Sequence, residues 1–397
     1  MNNSSLTLFI EINEYEIVFF IGETSDQNNL KVIYKLKNKI EGINNERISD
    51  FETAFNLIKK NIYLVEKKVS HTFKEIILIL DNFNLSFISL TGFKKLNGSQ
   101  VLRENITYIL NSLKSYVDKN EKKKNILHIF NSKFFLDYKI IENLPIGLFG
   151  DFYSHELSFV LINSSDHKNL KNIFTNCNLN LKKILLKSFI KSASISEREN
   201  LETFFHLEFN DYNTKIFYFE NNALKFQQNF KFGSEIVIND IVKITSLKKD
   251  TVKRILNEVK FKEEMVENDL IEKDYFGKDI YKKIKKKLIY DIALARINEI
   301  FELTLLNNIN FKNYNKKQTT IFLENNFFLK LPAIKEIFKK NFFNHKNYEL
   351  KILEPASSDN SLNTAYKIVH FGWKKEAIPV QIEKKSIIAR FFELIFG

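Results

Sequence analysis

The 397-residue sequence is poor in the residue types that build metal and phosphate sites. It has one cysteine, Cys177, so it can form neither an internal disulfide nor a thiolate zinc site. The seven histidines are scattered and form no HExxH pattern, so the sequence gives no support for a metal site. The 10 glycines are about 2.5% of the chain against a typical ~7%. Few positions can therefore let the backbone approach a phosphate closely.

Long apolar runs are also lacking. No stretch approaches the ~18 consecutive apolar residues of a membrane-spanning helix. The N-terminal segment has no basic region, and Glu11 interrupts its short apolar run, so it does not read as a signal peptide. A single cysteine fits a reducing compartment.

Basic residues are in excess, with 60 lysines and arginines against 48 acidic residues and a net charge of +12. This balance favours acidic partners such as nucleic acid, anionic lipid or an acidic peptide. The lysines are spread along the chain without an RNP, zinc-finger or helix-turn-helix signature, so nucleic-acid binding rests on net charge alone. The 44% hydrophobic and 27% charged residues indicate a globular chain. Its length suits about two to four compact lobes.

The start of the sequence predicts an α/β layer. Three runs rich in Ile, Val, Phe and Leu are typical of a strand meander: Thr7–Ile12, Glu16–Ile21 and Leu30–Leu36. Ser49 with Glu52 three positions later predicts a capping box, and apolar residues at 3.6-residue spacing then predict a helix up to Val69. Because the apolar strand Ile76–Leu80 follows, the order indicates the α/β class.

An internal echo separates two similar hairpins by half of the chain. The pattern Ile10–Tyr15 returns as Leu207–Tyr212, 208 − 11 = 197 residues later, and an apolar strand follows each copy. The echo is either coincidence between two short hairpins or a duplicated lobe. A duplicated lobe of strand meander plus helix is the plan of the actin, Hsp70 and sugar-kinase superfamily, in which a cleft lies between the lobes.

Over nearly its whole length the sequence resembles the bacterial cell-division protein family FtsA, whose members are actin-like membrane adaptors. Motifs of that family are matched in order at Gly42-Ile43, Ser49–Glu52, Ile126–Ile129, Leu136-Asp137, Asn143–Leu148, Asn239–Ile241 and Asn363–Ala365. The block from Ile126 to Leu148 is the most specific match, in the subdomain that FtsA carries in place of one found in actin. The resemblance implies an α/β, actin-like, two-lobed duplicated fold with an FtsA-type inserted subdomain and a C-terminal amphipathic helix.

The resemblance also implies a domain organisation. The first lobe is expected at 1–82 with 161–198, the inserted subdomain at 83–160, the second lobe at 199–235 with 310–372, its helical subdomain at 236–309, a linker at 373–383 and the amphipathic helix at 384–397. The pattern of the second half predicts a long lysine-rich helical region over about 239–308 and a further helix near Ala333–Phe338.

The expected nucleotide site departs from the family pattern. The family holds ATP with two glycine-rich hairpins and a late glycine-rich turn, and the resemblance places this site on Glu11, Asn13, Glu208, Asn210, Thr214 and Asn325. None of the three segments keeps a glycine. Asparagine tolerates the left-handed turns that glycine would adopt, but Glu14 and Asp211 would bring carboxylates near phosphates.

Two interpretations of this site are open. One is a pseudo-nucleotide cleft that has kept the fold and lost ATP. The other is weak ATP binding, with Glu11 and Glu208 in place of the family's aspartates around Mg²⁺. Neither makes hydrolysis the main function, so an enzyme is not predicted, and a resident metal is not predicted either.

The last fourteen residues predict an amphipathic helix. Its apolar arc consists of Ile387, Ile388, Phe391, Phe392, Leu394, Ile395 and Phe396. Lys384 and Lys385 stand at its start, where they could meet anionic headgroups, and Arg390 lies on the polar side. The helix could dock on the core, or it could follow the polar stretch 373–381 as a tethered element. The FtsA family ends in a membrane-targeting helix, so the resemblance implies membrane binding.

A basic stretch of the second half is a candidate partner surface. Lysines crowd the segment from Lys278 to Lys287, as either a solvated face or a binding face. In the FtsA family this lobe receives the C-terminal tail of the tubulin-like protein FtsZ, and the resemblance places that contact on Arg296, Glu299 and Lys286. The shorter charge run Lys122–Lys124 is expected in an exposed loop.

The sequence therefore predicts a divergent FtsA-like adaptor that ties FtsZ filaments to the cytoplasmic face of the inner membrane at the division site and self-associates there. Self-association would raise the avidity of a weakly binding terminal helix. One alternative is another actin-like platform, of the type IV pilus PilM kind. A second is a degenerate kinase of the same superfamily, which would need the missing phosphate loops.

Overall fold

The computed structural model describes residues 5–24, 29–44, 46–81, 83–259, 261, 268–277, 279–314, 319–325, 348–353 and 358–377. The chain divides into two units, one of residues 1–83 and 169–373 and the other of residues 84–168 and the segment from Lys374. The inserted subdomain expected at 83–160 thus reaches Lys168, because its strand Phe152–Asn163 runs past residue 160.

The described residues form strands β1 to β16 and helices α1 to α9. In chain order these are β1 (Ser5–Ile12), β2 (Glu16–Thr24), β3 (Leu30–Lys39), β4 (Ile43–Asn44), β5 (Arg47–Ile48), α1 (Phe51–Val69), β6 (Glu75–Leu80), β7 (Leu85–Lys95), α2 (Arg103–Asn120), β8 (Lys124–Leu136), β9 (Lys139–Ile141), β10 (Phe152–Asn163), α3 (Ser164–Asn176), β11 (Asn180–Leu186), α4 (Lys187–Glu199), β12 (Phe204–Phe209), β13 (Thr214–Glu220), β14 (Ala223–Phe230), α5 (Ser234–Thr245), α6 (Lys249–Glu258), α7 (Lys286–Phe301), α8 (Ile309–Tyr314), β15 (Thr319–Asn325), β16 (Tyr348–Leu353) and α9 (Ser358–Phe371). A 3₁₀ turn covers Lys273–Phe276 and a π-helical turn covers Glu302–Leu306.

Two five-stranded sheets in the first unit share one topology. Their strand orders are β11-β6-β1-β2-β3 and β14-β13-β12-β15-β16. In each sheet the first strand along the chain pairs antiparallel with the second, and the second pairs antiparallel with the third. On its other side the first strand pairs in parallel with a later strand, and this later strand pairs in parallel with the outermost strand of the sheet. The two similar hairpins of the sequence therefore open two lobes of a duplicated fold, and the predicted actin-like fold is confirmed.

The central strands are largely buried on both faces, in keeping with their mostly apolar sequences. All six residues of β12 are buried, and its sequence Phe-Phe-His-Leu-Glu-Phe carries two polar side chains into the interior, His206 and Glu208. Buried polar groups need partners. The partners of these two residues lie at the candidate site.

Helix α1 begins one residue later than the predicted capping box. Its N-cap is Asp50, whose carboxylate accepts a 3.1 Å hydrogen bond from the Thr53 amide. The Thr53 hydroxyl donates to the same carboxylate at 2.7 Å, and these two bonds lower the pKa of Asp50. Ser49 instead donates its hydroxyl to the Gly42 carbonyl. Gly42 has a φ of +74° and lies against Ala54, so no larger residue fits at this turn.

The second unit is an antiparallel sheet of order β7-β10-β8-β9 with α2 on one face. Side chains of alternate residues meet α2 in the core, including Phe134, Tyr153, Leu157 and Phe159. None of the helices that the structure describes, in either unit, is both long enough and apolar enough to cross a bilayer.

Two predicted segments differ in the structure. The helical region of about 239–308 is interrupted between α6 and α7, where the described residues form a 3₁₀ turn and extended chain. The predicted linker 373–383 is not free at its start, because Trp373 is buried and Glu376 pairs with β8. The predicted helices near Ala333–Phe338 and at 384–397 lie outside the described residues.

Candidate functional site

The turns that follow β1 and β12 meet in the first unit. The Asn213 side-chain amide donates a 2.7 Å hydrogen bond to Glu14, and the rings of Tyr15 and Tyr212 lie 5.5 Å apart. Burial and a hydrogen bond to Glu14 raise the pKa of Tyr15 to about 12. These are the turns that would hold phosphates in the family, and here their tips contact each other.

The asparagines at these turns do not take over the role of glycine. Asn13 and Asn210 are absent from the described residues that have a positive φ. Asn13 instead accepts hydrogen bonds from the amides of Tyr15 and Glu16, at 3.0 and 2.8 Å. The Asn210 amide and side chain both donate to Asn213 at 2.9 Å. Both asparagine side chains are therefore engaged in hydrogen bonds within their own turns.

Thr214 and Gly233 complete the second turn. The Thr214 hydroxyl donates to the Phe232 carbonyl at 2.8 Å. A Cβ at Gly233 would collide with the Asn210 carbonyl, so this position at the start of α5 needs glycine. Asn325 ends β15, and its side chain lies outside the described part of the structure.

Below these turns, two lysines neutralise the acidic residues of the first sheet. Lys187, the first residue of α4, donates to Glu11 at 2.7 Å and to Asp81 at 3.4 Å. Lys215, on β13, donates to Asp81 at 2.6 Å and is only 3% exposed in its side chain. Asp81 thus joins the first and second sheets through lysines.

These ion pairs shift the pKa of both partners. Burial alone would raise the pKa of Asp81, but the ammonium groups of Lys187 and Lys215 hold it well below its usual value. Burial opposes the charge of Lys187, yet Asp81 and Glu11 raise its pKa above the ordinary value. Asp81 and Lys187 are therefore both charged at neutral pH.

A third lysine forms ion pairs with carboxylates of the second sheet. Lys191, one turn after Lys187 on α4, lies 2.6 Å from Glu208 and 3.1 Å from Glu324. Nε2 of the buried His206 lies 3.2 Å from Glu324. Against the effect of burial, His206 and Lys191 lower the pKa of Glu324 to about 2, and Glu208 and Glu324 raise the pKa of Lys191.

The cluster thus contains three ammonium groups and four carboxylates in contact. It borders a cavity of about 650 Å³. Ligand atoms of His206, Glu208 and Glu324 lie within 4.8 Å of one another, close enough to hold a metal ion after a small adjustment. Lys191 already contacts both carboxylates, so its ammonium group takes the place between them that a bound cation would take.

Sequence reasoning found Glu11 and Glu208 but missed the lysines. Lys187 and Lys191 are four residues apart at the start of a helix that follows an apolar strand, and Lys215 interrupts the otherwise apolar β13. Lysine in a strand of this kind signals an internal partner, since lysine is almost never fully buried unpaired.

The predicted partner residues lie on α7. Arg296 donates to Asp240 of α5 and, at 2.6 Å, to Glu299. Lys286 lies at the start of the helix and contacts Glu272 at 2.7 Å and Asp269 at 3.3 Å. Arg296 and Glu299 are thus brought together, whereas Lys286 belongs to a separate ion-pair group.

Comparisons with known proteins identify the class. No protein-family profile matches the chain. A solved structure described as a PilM–PilN type IV pilus biogenesis complex matches with a TM-score of 0.51 at 9% identity, covering 91% of this chain and 95% of that one. The duplicated sheets and this likeness define an actin-like fold.

Two curated relatives indicate which kind of actin-like protein the chain is similar to. Both are named cell division protein FtsA. One, from Buchnera aphidicola subsp. Acyrthosiphon pisum, is 19% identical over 98% of this chain and 96% of its own length. The other, from subsp. Baizongia pistaciae, is 23% identical over 59% of this chain and 56% of its own. The chain is thus similar to FtsA over nearly its whole length, and the likenesses support a role as an actin-like protein of cell division.

Proposed function

We propose that the protein is a division adaptor that ties FtsZ filaments to the cytoplasmic face of the inner membrane and self-associates there. The observation that carries this proposal is the likeness to a curated FtsA along 98% of the chain, together with the duplicated actin-like fold. The membrane contact is assigned to the sequence 384–397, which can present an apolar arc beside Lys384, Lys385 and Arg390.

The FtsZ contact is assigned to the α7 surface. Arg296 is one-third exposed in its side chain while it holds Asp240 and Glu299. An acidic peptide could exchange with Glu299 at the exposed edge of the guanidinium, which offers five donors. Lys286 is mostly buried and already paired with Glu272 and Asp269, so it supports the helix rather than the contact.

The mechanism proposed is binding, not catalysis. Lys187, Lys191 and Lys215 supply these carboxylates with the positive charge that the Mg²⁺ ion of a bound nucleotide would otherwise bring. The contact between Glu14 and Asn213 also spans the two turns that would otherwise open around phosphates. Both features favour a cleft that needs no ATP.

Recruitment of labelled FtsZ to anionic vesicles tests the adaptor role. The full chain should recruit FtsZ, and a chain ending at Gln381 should not bind vesicles. Arg296→Ala should reduce recruitment while leaving vesicle binding intact, and Lys243→Ala is a control on the neighbouring helix α5. Vesicle binding by the truncated chain would contradict the role given to the terminal segment.

A second candidate is a pilus-type platform, favoured by the likeness to the PilM–PilN complex. In that case the full chain would bind vesicles without recruiting FtsZ. It would instead assemble with a partner of the PilN kind, as in that complex. The same vesicle assay therefore separates the two candidates.

A further inference from the structure

The residues just after Trp373 pair with the second unit through an antiparallel β-bridge. The Asn131 amide donates to the Lys375 carbonyl and the Ala377 amide donates to the Ile129 carbonyl, each at 2.7 Å. Glu376 lies opposite Phe130. The segment therefore pairs antiparallel to β8, at an edge position beside the sheet.

Side-chain contacts also hold this segment against the second unit. Glu376 lies 2.8 Å from Nδ1 of the fully buried His128, and only 8% of the Glu376 side chain is exposed. The Lys375 ammonium lies 5.1 Å above the Phe134 ring and also donates to the Glu142 carbonyl. Ala377 packs against the core beneath α2.

The pairing sets the direction in which the chain continues. From Lys375 to Ala377 the segment runs from Asn131 toward Ile129, and so toward Lys124 at the start of β8. Five residues of strand span about 17 Å. The seven residues from Ala377 to Lys384 can reach at most about 25 Å. A chain of that length is long enough to span the distance from Ala377 to the loop before β8.

That loop is basic and exposed. Lys122 and Lys123 are both exposed, and neither forms an ion pair with another residue in the described part of the chain. Lys119 and Lys168 are exposed nearby, because α2 ends just before the loop and the α3 amide of Ser164 bonds to Lys123. The acidic residues of the neighbourhood are Asp118, Glu121, which is paired with Lys124, and the buried Asp166.

We propose that this basic loop is a second membrane-contact site, which binds anionic lipid headgroups beside the terminal segment. The proposal rests on the proposed function, in which that segment inserts into the bilayer. One short apolar anchor binds a membrane weakly and reversibly, and stable attachment takes a second signal such as a polybasic patch. The β-bridge to β8 brings the two signals together on one unit.

Vesicle sedimentation with the full chain tests the site. Lys122→Gln with Lys123→Gln should weaken binding to vesicles of phosphatidylcholine and phosphatidylglycerol about 25-fold at low salt, from about fivefold per lysine near the surface. The deficit should shrink at high salt, since the Debye length falls. Lys283→Gln with Lys287→Gln removes the same charge from exposed positions of the first unit and should change binding less than twofold.

The outcomes are separable. Equal loss in both double variants would show that only net charge matters and would overturn the site. Unchanged binding of the Lys122/Lys123 variant, with vesicle binding by the full chain intact, would overturn the site but not the adaptor. If the full chain binds no vesicles, both proposals fail. As a control, the wild-type chain and the Lys122/Lys123 variant should bind equally to neutral phosphatidylcholine vesicles.

Discussion

Glu208 and Glu324 lie opposite each other in adjacent parallel strands, and the Lys191 ammonium lies between their carboxylates. Like charges at matched positions destabilise a sheet, and burial increases the cost. Lys191 comes from α4, which precedes both strands in the chain. The second lobe of the fold is thus held by a cation that a neighbouring helix supplies.

The first prediction concerns removal of this cation. Lys191→Ala should destabilise the protein by about 3–5 kcal/mol, the typical cost of breaking a buried pair. A divalent ion such as Zn²⁺ should partly restore stability, because His206, Glu208 and Glu324 can then act as ligands. Thermal unfolding with and without Zn²⁺ measures both effects.

The wild-type chain and Lys37→Ala serve as controls for this variant. Lys37 pairs with Glu16 at the surface, where an ion pair contributes little. Lys191→Gln keeps much of the side-chain volume and should respond to Zn²⁺ like the alanine variant. Equal stabilisation of wild type by Zn²⁺ would mean that Lys191 does not occupy the cation position.

The second prediction concerns acid. The pKa values of Asp81 and Glu324 are lower in the folded protein than in the unfolded chain, so unfolded carboxylates bind protons first as the pH falls. The contribution of these two carboxylates to the free energy of unfolding should therefore be constant above about pH 5 and fall from there toward pH 2. Urea unfolding at a series of pH values measures the slope.

Substitution at Glu324 should flatten that slope. Glu324→Gln removes one depressed carboxylate, whereas Glu75→Gln removes one that is half exposed beside Lys182 and should leave the slope as in wild type. If both variants retain the full slope, the buried ion pairs are not the source of the acid sensitivity.

The sequence predicts the strands well, but it does not predict which helices and strands contact one another at the ion-pair cluster. The echo of Ile10–Tyr15 in Leu207–Tyr212 predicts both hairpins because alternation and apolar runs are local signals. It also locates Glu11 and Glu208 at equivalent strand ends. The pairing of Lys187 with Asp81 joins residues 106 positions apart, and no local pattern predicts which helix lies against which strand.

The same limit explains the start of the predicted linker. The polar sequence after Trp373 indicates a tether, yet Trp373 donates its indole N–H to the Asn222 carbonyl at 2.7 Å. Glu376 forms a hydrogen bond with the buried His128, 248 positions earlier in the chain. Tertiary partners of this kind convert a locally polar segment into fixed structure.

The third prediction concerns nucleotide. ATP with Mg²⁺ at millimolar concentration should leave the unfolding temperature of the protein unchanged, because Asn213 and Glu14 join the two turns and the Lys191 ammonium already lies against Glu208. A ligand that binds the native state raises this temperature as its concentration rises. A saturable rise with ATP would contradict the view that the cleft needs no nucleotide.

The last prediction concerns the β-bridge at the start of the C-terminal segment. Ala377→Pro removes the amide that donates to the Ile129 carbonyl and should detach Lys375 from β8. Trypsin should then cleave after Lys374 and Lys375 at least tenfold faster than in wild type, since a released segment loses its protection. Ala377→Ser keeps the amide and should cleave at the wild-type rate. Because the β-bridge is peripheral to the core of the sheet, the unfolding temperature of the proline variant should fall only slightly. Unchanged cleavage of that variant would show that the side-chain contacts of Glu376 and Lys375 hold the segment without the backbone ladder.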